Sequence, residues 1–373
     1  MSAQHTTALS AGVIRTDLPM ADGRTIRYYD SGTVARSAED KRPIEAQPGI
    51  GELRFDALVN EWVAVASHRQ GRVFLPPKEL CPLCPTRNDL LSEIPDSSYQ
   101  VVVFDNRSPS FTAPASNWAL TEHPDLFSPD IPAAGKCEVI CYTDQHEGSF
   151  GELPLSQIRM VMEAWRDRTR EISKLPYISY VFPFENRGEE VGVTLNHPHG
   201  QVYAYSFIPP RAEKMMEAAV LHHAKTGRTL MEDVIARELK DEVRIIAQNA
   251  HWIAFVPYAA RYPFEIHIAP KRHYADLAEI TDEVADAFPE VAKEVLLRLD
   301  GVFGESMAYI AAWHQAPVRE GRDVMRVHWQ ITSVRRAPGK LKYLAGSESA
   351  MGAFIMDLKP EQSATQLREV KLN

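Results

Sequence analysis

The sequence predicts an α+β protein made of two copies of one unit, each combining β-strands with helices. Three observations carry this. The chain has 373 residues, more than one simple core usually spans. Short runs alternate apolar and polar residues with a period of two, and helical spacings fall between them. The order of these runs in the first half returns in the second. The expected division is an N-terminal arm over 1–50, a first half over 51–210 and a second half over 211–373.

Residues 1–50 mix Asp, Thr, Arg, Ser and Pro with few clustered apolar residues, and read as an arm or a loosely ordered lead-in. Arg54–Asp56 and Trp62–Val65 flank Val59-Asn60-Glu61 as a short strand pair. Ser67–Arg72 is a loop carrying Arg69 and Arg72. Prolines surround Cys81 and Cys84 and favour a turn that aims both thiols inward. Tyr99–Phe104 is a strand ending at Asp105-Asn106-Arg107, and a polar, Pro-rich loop covers 108–132. Glu138–Thr143 reads as a strand that puts Cys137 and Cys141 on one face. They stand roughly 13 Å apart along it, too far to share one zinc, and are expected in the core. Ile158, Val161, Met162, Trp165 and Ile172 have helical spacing, predicting a helix over 156–173. Strands follow from Ile178 and from Val202 to Phe207, then helices over 212–224 and 230–240. A further helix is predicted over 281–299 with Thr281 as N-cap, and Pro289 should kink it or split it.

The repeat matches Phe264–Ile268 and His273 with Cys137–Cys141 and His146, and His328-Trp329-Gln330 with His199-Gly200-Gln201. Arg326 stands where the first copy has His197. One working site per chain is therefore expected, with the second copy kept for architecture and substrate contacts.

Composition narrows the function. The net charge of −9 argues against a nucleic-acid or anionic-membrane partner, though a local Arg/Lys cluster can still hold a small anion. No apolar run approaches a membrane span. The stretch 1–51 has no hydrophobic signal region, so a cytoplasmic location is expected. In that setting a Cys-x-x-Cys reads as metal-binding or redox before disulfide.

The chemistry centres on His197-Pro198-His199-Gly200-Gln201, which follows Phe184-Glu185-Asn186-Arg187-Gly188. In an extended segment His197, His199 and Gln201 share a face. Pro198 and Gly200 shape the backbone and are expected to leave room for a ligand. A neutral imidazole is a competent nucleophile near pH 7, and attack on phosphorus would leave a reactive phosphoramidate. A neutral amide at Gln201 can bind a non-bridging phosphate oxygen. Another imidazole there could act as acid or base, promoting leaving-group departure and water entry, so its absence argues for transfer over hydrolysis. Cys81, Cys84, His146 and His197 compose a Cys2His2 tetrahedral zinc set. With all four positions filled, its role is structural.

These residues resemble the galactose-1-phosphate uridylyltransferase family of the histidine-triad (HIT) superfamily, from about Arg54 to the C-terminus. The matches are Phe184–Gly188, His197–Gln201, Val256-Pro257-Tyr258 with Pro263-Phe264-Glu265, Trp313-His314, His328–Gln330 and the 342–348 segment. The resemblance implies a duplicated HIT-like fold, each copy an antiparallel β-sheet flanked by helices, and a ping-pong reaction. His199 would attack the α-phosphorus of UDP-glucose and release glucose 1-phosphate; galactose 1-phosphate would then take the UMP. It also implies that Arg69 and Arg72 contact phosphates, and that Asn106, Arg107, Asn186 and the Gly192-Val193-Thr194 backbone line the nucleotide site. Lys342, Tyr343, Ser347 and Glu348 would meet the sugar phosphate across a homodimer interface. Some family members hold a second metal; the matching positions here are Met215, His314, Thr332 and Val334, which predicts no second metal. A family glutamine near the sugar falls at Phe354, so sugar selectivity stays open. The competing readings are a related phosphorylase or hydrolase, such as an ADP-glucose phosphorylase, and a non-catalytic zinc-stabilised nucleotide-binding module.

Overall fold

A computed structural model describes residues 5–45, 51–71, 75–87, 90–115, 120 and 131–372. Its centre is one antiparallel sheet. The strands are β1 (His5–Ala8), β2 (Val13–Pro19), β3 (Thr25–Ser31), β4 (Val101–Asp105), β5 (Gly135–Cys141) and β6 (Tyr180–Arg187). They continue as β7 (His199–Tyr205), β8 (Ile245–Gln248), β9 (Trp252–Phe255), β10 (Phe264–Pro270), β11 (Tyr309–His314) and β12 (His328–Ser333). Across the sheet the order is β1-β2-β3-β4-β5-β7-β6-β11-β12-β10-β9-β8. Read outward from the β6–β11 contact, β6-β7-β5-β4 on one side repeats as β11-β12-β10-β9 on the other. Helix α1 (Leu155–Ser173) connects β5 to β6, and α4 (Asp282–Gly301) connects β10 to β11 at the equivalent place. Helices α2 (Pro210–Thr226) and α3 (Leu230–Asp241) follow β7, and α5 (Gly346–Met351) and α6 (Pro360–Glu369) close the chain. The expected Arg54–Asp56/Trp62–Val65 pair is present as Glu52–Asp56 against Glu61–Val65.

The core forms where α1 and α4 lie on the sheet. Trp165 from α1, Phe288 from α4, and Trp313 and Trp329 from β11 and β12 pack into one aromatic cluster. Trp313 and Trp329 stack with centroids 5.9 Å apart. Each such ring removes a large apolar area from water, so this shared cluster holds both halves with a single core.

Four expectations change. Residues 5–31 are not a loose lead-in; they form β1, β2 and β3 and extend the sheet. Their charges are buried in pairs: Arg15 binds Asp167 of α1 at 2.9 and 3.0 Å, and the Tyr29 hydroxyl donates to Asp167 at 2.7 Å. Arg36 forks onto Asp30 in the same way. Helix α4 runs unbroken through Pro289. The repeat is one residue out of register at its first strand: Cys141 pairs with His199, whereas Ala269 falls opposite His328 by the β10–β12 register. Cys137 therefore corresponds to Glu265, not Phe264. Such a slip changes which face a side chain takes. Finally, Gly200 does not open space for a ligand. A Cβ there would lie 2.1 Å from the Tyr142 hydroxyl and 2.8 Å from the Phe184 carbonyl, on the buried face.

Candidate functional site

Strand β7 alternates half-buried His199, Gln201, Tyr203 and Tyr205 with buried Gly200, Val202 and Ala204. One face thus carries the polar groups, and the other enters the core. The His199 Nδ1–H donates to the His197 carbonyl at 2.7 Å. A carbonyl can only accept, so the neutral ring carries its proton on Nδ1 and its lone pair on Nε2. Burial lowers the His199 pKa below the usual imidazole value, opposed by the bond to His197.

Two cavities meet at His199. One, of about 230 Å3, is lined by Arg69, Asn186, Gly192, Val193, Thr194 and Gln201, together with Phe184 and Tyr203. Arg69 reaches it from the Ser67–Gly71 turn and donates from Nη1 to the Tyr203 hydroxyl at 3.1 Å. Gly192 turns the chain after Glu189–Val191 with φ of 78°, a left-handed conformation that suits glycine. The other cavity, of about 190 Å3, is lined by Ser149, Glu185, Asn186, Arg187 and Ser306 among others.

Beside this strand Cys81, Cys84, His146 and His197 converge, with one ligand atom from each lying within 4.8 Å of all the others. Cys84 Sγ is 3.4 Å from His146 Nδ1 and 3.6 Å from His197 Nδ1. The His197 Nε2–H donates to the Thr143 carbonyl at 2.8 Å, which leaves Nδ1 bare toward the thiols. That pattern, in which the outer nitrogen is fixed by a carbonyl, is how metal-bound imidazoles are oriented. Burial and the neighbouring Cys81 push the Cys84 thiol up to about 12, so only a bound cation would favour two thiolates here. The donor set fits one tetrahedral metal. All four cysteines are free of disulfides. Cys137 and Cys141 are buried core residues, as expected.

The structure does not bring every expected residue to His199. Arg72 lies outside the described residues. Asn106 and Arg107 line neither cavity; the Asn106 carboxamide oxygen accepts from the Ser108 amide at 2.9 Å. Lys342, Tyr343, Ser347 and Glu348 also line neither. Lys342 pairs with Glu348 at 3.0 Å, the Ser347 hydroxyl donates to the Ala353 carbonyl at 2.8 Å, and Tyr343 is 78% exposed. His314 stacks on His328, with centroids 5.4 Å apart, and Met215 packs in an apolar cluster.

Sequence reasoning missed three groups. Tyr203 and Phe184 line the cavity of about 230 Å3; their even spacing from Gln201 and Asn186 was the available signal. Tyr99 is buried, its hydroxyl 2.9 Å from His197 Nε2 while donating to the Leu83 carbonyl at 3.0 Å. Glu185 is buried on β6, and desolvation raises its pKa to about 8 against the pull of Arg187 and the Tyr309 hydroxyl.

A doubled antiparallel sheet with a His-x-His-x-Gln strand beside a Cys2His2 cluster defines an HIT-like nucleotidyl-transfer protein. The galactose-1-phosphate uridyl transferase N-terminal domain matches residues 44–209 and the C-terminal domain residues 215–373. A galactose-1-phosphate uridylyltransferase of Streptomyces lividans is 38% identical over 95% of this chain and 98% of its own length. One from Thermotoga maritima is 37% identical over 86% of this chain and 99% of its own length. A solved uridylyltransferase superposes with a TM-score of 0.75 at 32% identity, over 86% of this chain and 98% of that one. An ADP-glucose phosphorylase of Arabidopsis thaliana shares the fold, with a TM-score of 0.66 at 23% identity over 86% of this chain and all of that one. The chain belongs to the galactose-1-phosphate uridyl transferase family.

Proposed function

We propose that the protein moves UMP from UDP-glucose to galactose 1-phosphate, the exchange step of the Leloir galactose pathway. The observation that carries this is the His199 ring, tethered at Nδ1 with its Nε2 lone pair left for a substrate between two cavities. Nε2 attacks the α-phosphorus; the P–O bond to glucose 1-phosphate breaks and that phosphate leaves. A phosphate oxygen of galactose 1-phosphate then attacks the uridylyl-histidine, the P–N bond breaks and UDP-galactose departs. As phosphorus is attacked, the proton stays on Nδ1, hydrogen-bonded to the His197 carbonyl, which stabilises the charge growing on the ring. Gln201 and Arg69 hold non-bridging phosphate oxygens, and Asn186 with the Gly192–Thr194 backbone seats the nucleoside. Arg72, Asn106 and Arg107 complete the nucleotide site in this reading.

The Cys2His2 set holds zinc, which would tie together the Cys81–Cys84 turn, the His146 loop and the approach to β7. Zinc there contributes to folding, and no reaction step passes through it. Residues 51–210 supply the nucleophile, and residues 211–373 supply sugar-phosphate contacts. Lys342, Tyr343, Ser347 and Glu348 serve the site of a second copy in a homodimer, consistent with their lining neither cavity at His199 in their own chain. Free thiols at the cluster suit a cytoplasmic location. Among the described residues no helix is long and apolar enough to cross a membrane.

Intact-mass spectrometry tests the mechanism. Mixing with UDP-glucose should add the mass of one UMP, removed by galactose 1-phosphate and absent in His199→Ala. Failure to load in a single turnover would end the covalent reading. Better loading from ADP-glucose would make the protein a phosphorylase-type relative instead.

A further inference from the structure

The second half holds an open pocket of about 550 Å3 at the place where the first half holds its Cys2His2 cluster. Arg326 stands two residues before His328, as His197 stands two before His199. His273 follows β10 as His146 follows β5. We propose that this pocket binds a phosphate group, carried by inorganic phosphate or by a small phosphomonoester.

Arg326 is the anchor. It is only 6% exposed and lines the pocket. Its Nη1 donates to the carbonyls of Pro270 at 3.3 Å and Lys271 at 2.9 Å, while its buried Nε has no partner. It forms no salt bridge among the described residues, although a guanidinium out of water is costly unless an anion meets it. Thr229, the N-cap of the 12-residue helix α3, also has a buried hydroxyl oxygen without a partner. The first-turn amides of α3 lie beyond it, and such amides favour anions. Lys271 and Arg272 add two more cations. Among the described residues Lys271 bonds only to neutral oxygens, Gln248 Oε1 at 3.0 Å and the Asn249 carbonyl at 2.6 Å. Glu232 is the one carboxylate in the lining; its charge acts on Arg326 without a direct ion pair, and its own salt bridge is to Arg228 at 3.0 Å.

His273 adds a further polar group. Its Nε2–H donates to the Arg322 carbonyl at 2.9 Å, and its buried Nδ1 has no partner. Phosphate, with oxygens that accept and a P–OH that donates, can meet that nitrogen in either of its roles, whereas chloride can only accept. This inference does not depend on the reaction at His199, which lies in the other half of the sheet.

The test is calorimetric titration of the full chain with inorganic phosphate, with glucose 6-phosphate as the phosphomonoester, and with chloride at matched ionic strength. Saturable binding of phosphate or ester, absent with chloride, is expected. Arg326→Gln should weaken it about tenfold or more, the scale of a lost charge-assisted hydrogen bond. Arg69→Gln, which alters the His199 cavity, should leave it intact. The tighter of the two phosphate probes identifies the source. If Arg326→Gln does not fold, Thr229→Val with Arg272→Ala should weaken binding in its place. Binding abolished by Arg69→Gln and untouched by the pocket variants, or no binding beyond chloride, would overturn the proposal.

Discussion

His199 and His328 are the same residue twice, set in opposite surroundings. Each donates from Nδ1 to the carbonyl two residues before it, at 2.7 and 3.1 Å. Each is followed two positions later by a glutamine. Yet His199 opens onto two cavities, whereas His328 is buried between His314 and His267, with centroids at 5.4 and 5.3 Å. Gln201 lines a cavity, whereas the Gln330 amide is spent inside the protein on Glu265 at 2.6 Å, His267 at 2.7 Å and Arg211 at 3.0 Å. Burial, aided by His267, pushes the His328 pKa down to about 3. Tethering the imidazole is therefore not enough to make a site. The difference lies in whether neighbouring polar groups are left for a ligand or consumed by one another.

The sharpest way to break the comparison is to remove each histidine in turn. His199→Ala should lower turnover about 10^4-fold or more with little change in unfolding midpoint. His328→Ala should do the reverse, leaving turnover within a few-fold and lowering the midpoint. Equal activity losses would mean that both copies act. Cys81→Ser comes next. It should release the metal, read by elemental analysis, and cost several kcal/mol in denaturant titration, because a structural site's binding energy is folding energy. The second half has no counterpart cluster, so Arg326→Gln should leave metal content unchanged. Gln201→Ala should slow uridylylation about 10^2-fold, the scale of one lost oxyanion donor, and Gln330→Ala should not.

The smallest effect concerns Glu185, whose place in the second copy is taken by Trp313. Its folded pKa, about 8 through desolvation, lies above the ordinary 4.5. The stability it contributes is thus full below about 4.5 and is lost as pH rises toward 8, by at most about 1.4 kcal/mol per pH unit. Glu185→Gln should remove that slope. Denaturant midpoints at pH 5, 6.5 and 8 check this, and an unchanged gap between the two proteins would mean Glu185 is already ionised when folded.

Much of the site could be read directly because its chemistry is local in sequence. Cys81 and Cys84 share one turn, and His197 and His199 are forced apart by a single proline. The period of two also placed Gln201 beside His199. What stayed hidden depended on partners far along the chain. Arg15 looks like a surface charge until Asp167 is seen facing it. Glu163, Arg166, Asp167 and Arg168 give α1 a face that reads as solvated, yet all four are buried. Glu138 is fully buried beneath the Arg168 fork, at 2.8 Å to each oxygen, a pairing no periodicity reveals. The register slip in the repeat has the same origin, because strand pairing is fixed by facing side chains and not by matching letters.

The ends of the sheet bear on how the molecule meets copies of itself. Among the described residues the outer strands β1 and β8 each span four residues. At β8 the Arg368 guanidinium donates to the carbonyls of Val243 at 3.0 Å and Ile245 at 2.8 Å, occupying acceptors that another strand would need. Short, plugged borders discourage one sheet from growing into the next. The sheet ends are thus poor templates for a further strand, whereas the exposed side chains of Tyr343 and Met351 belong to a loop and to α5.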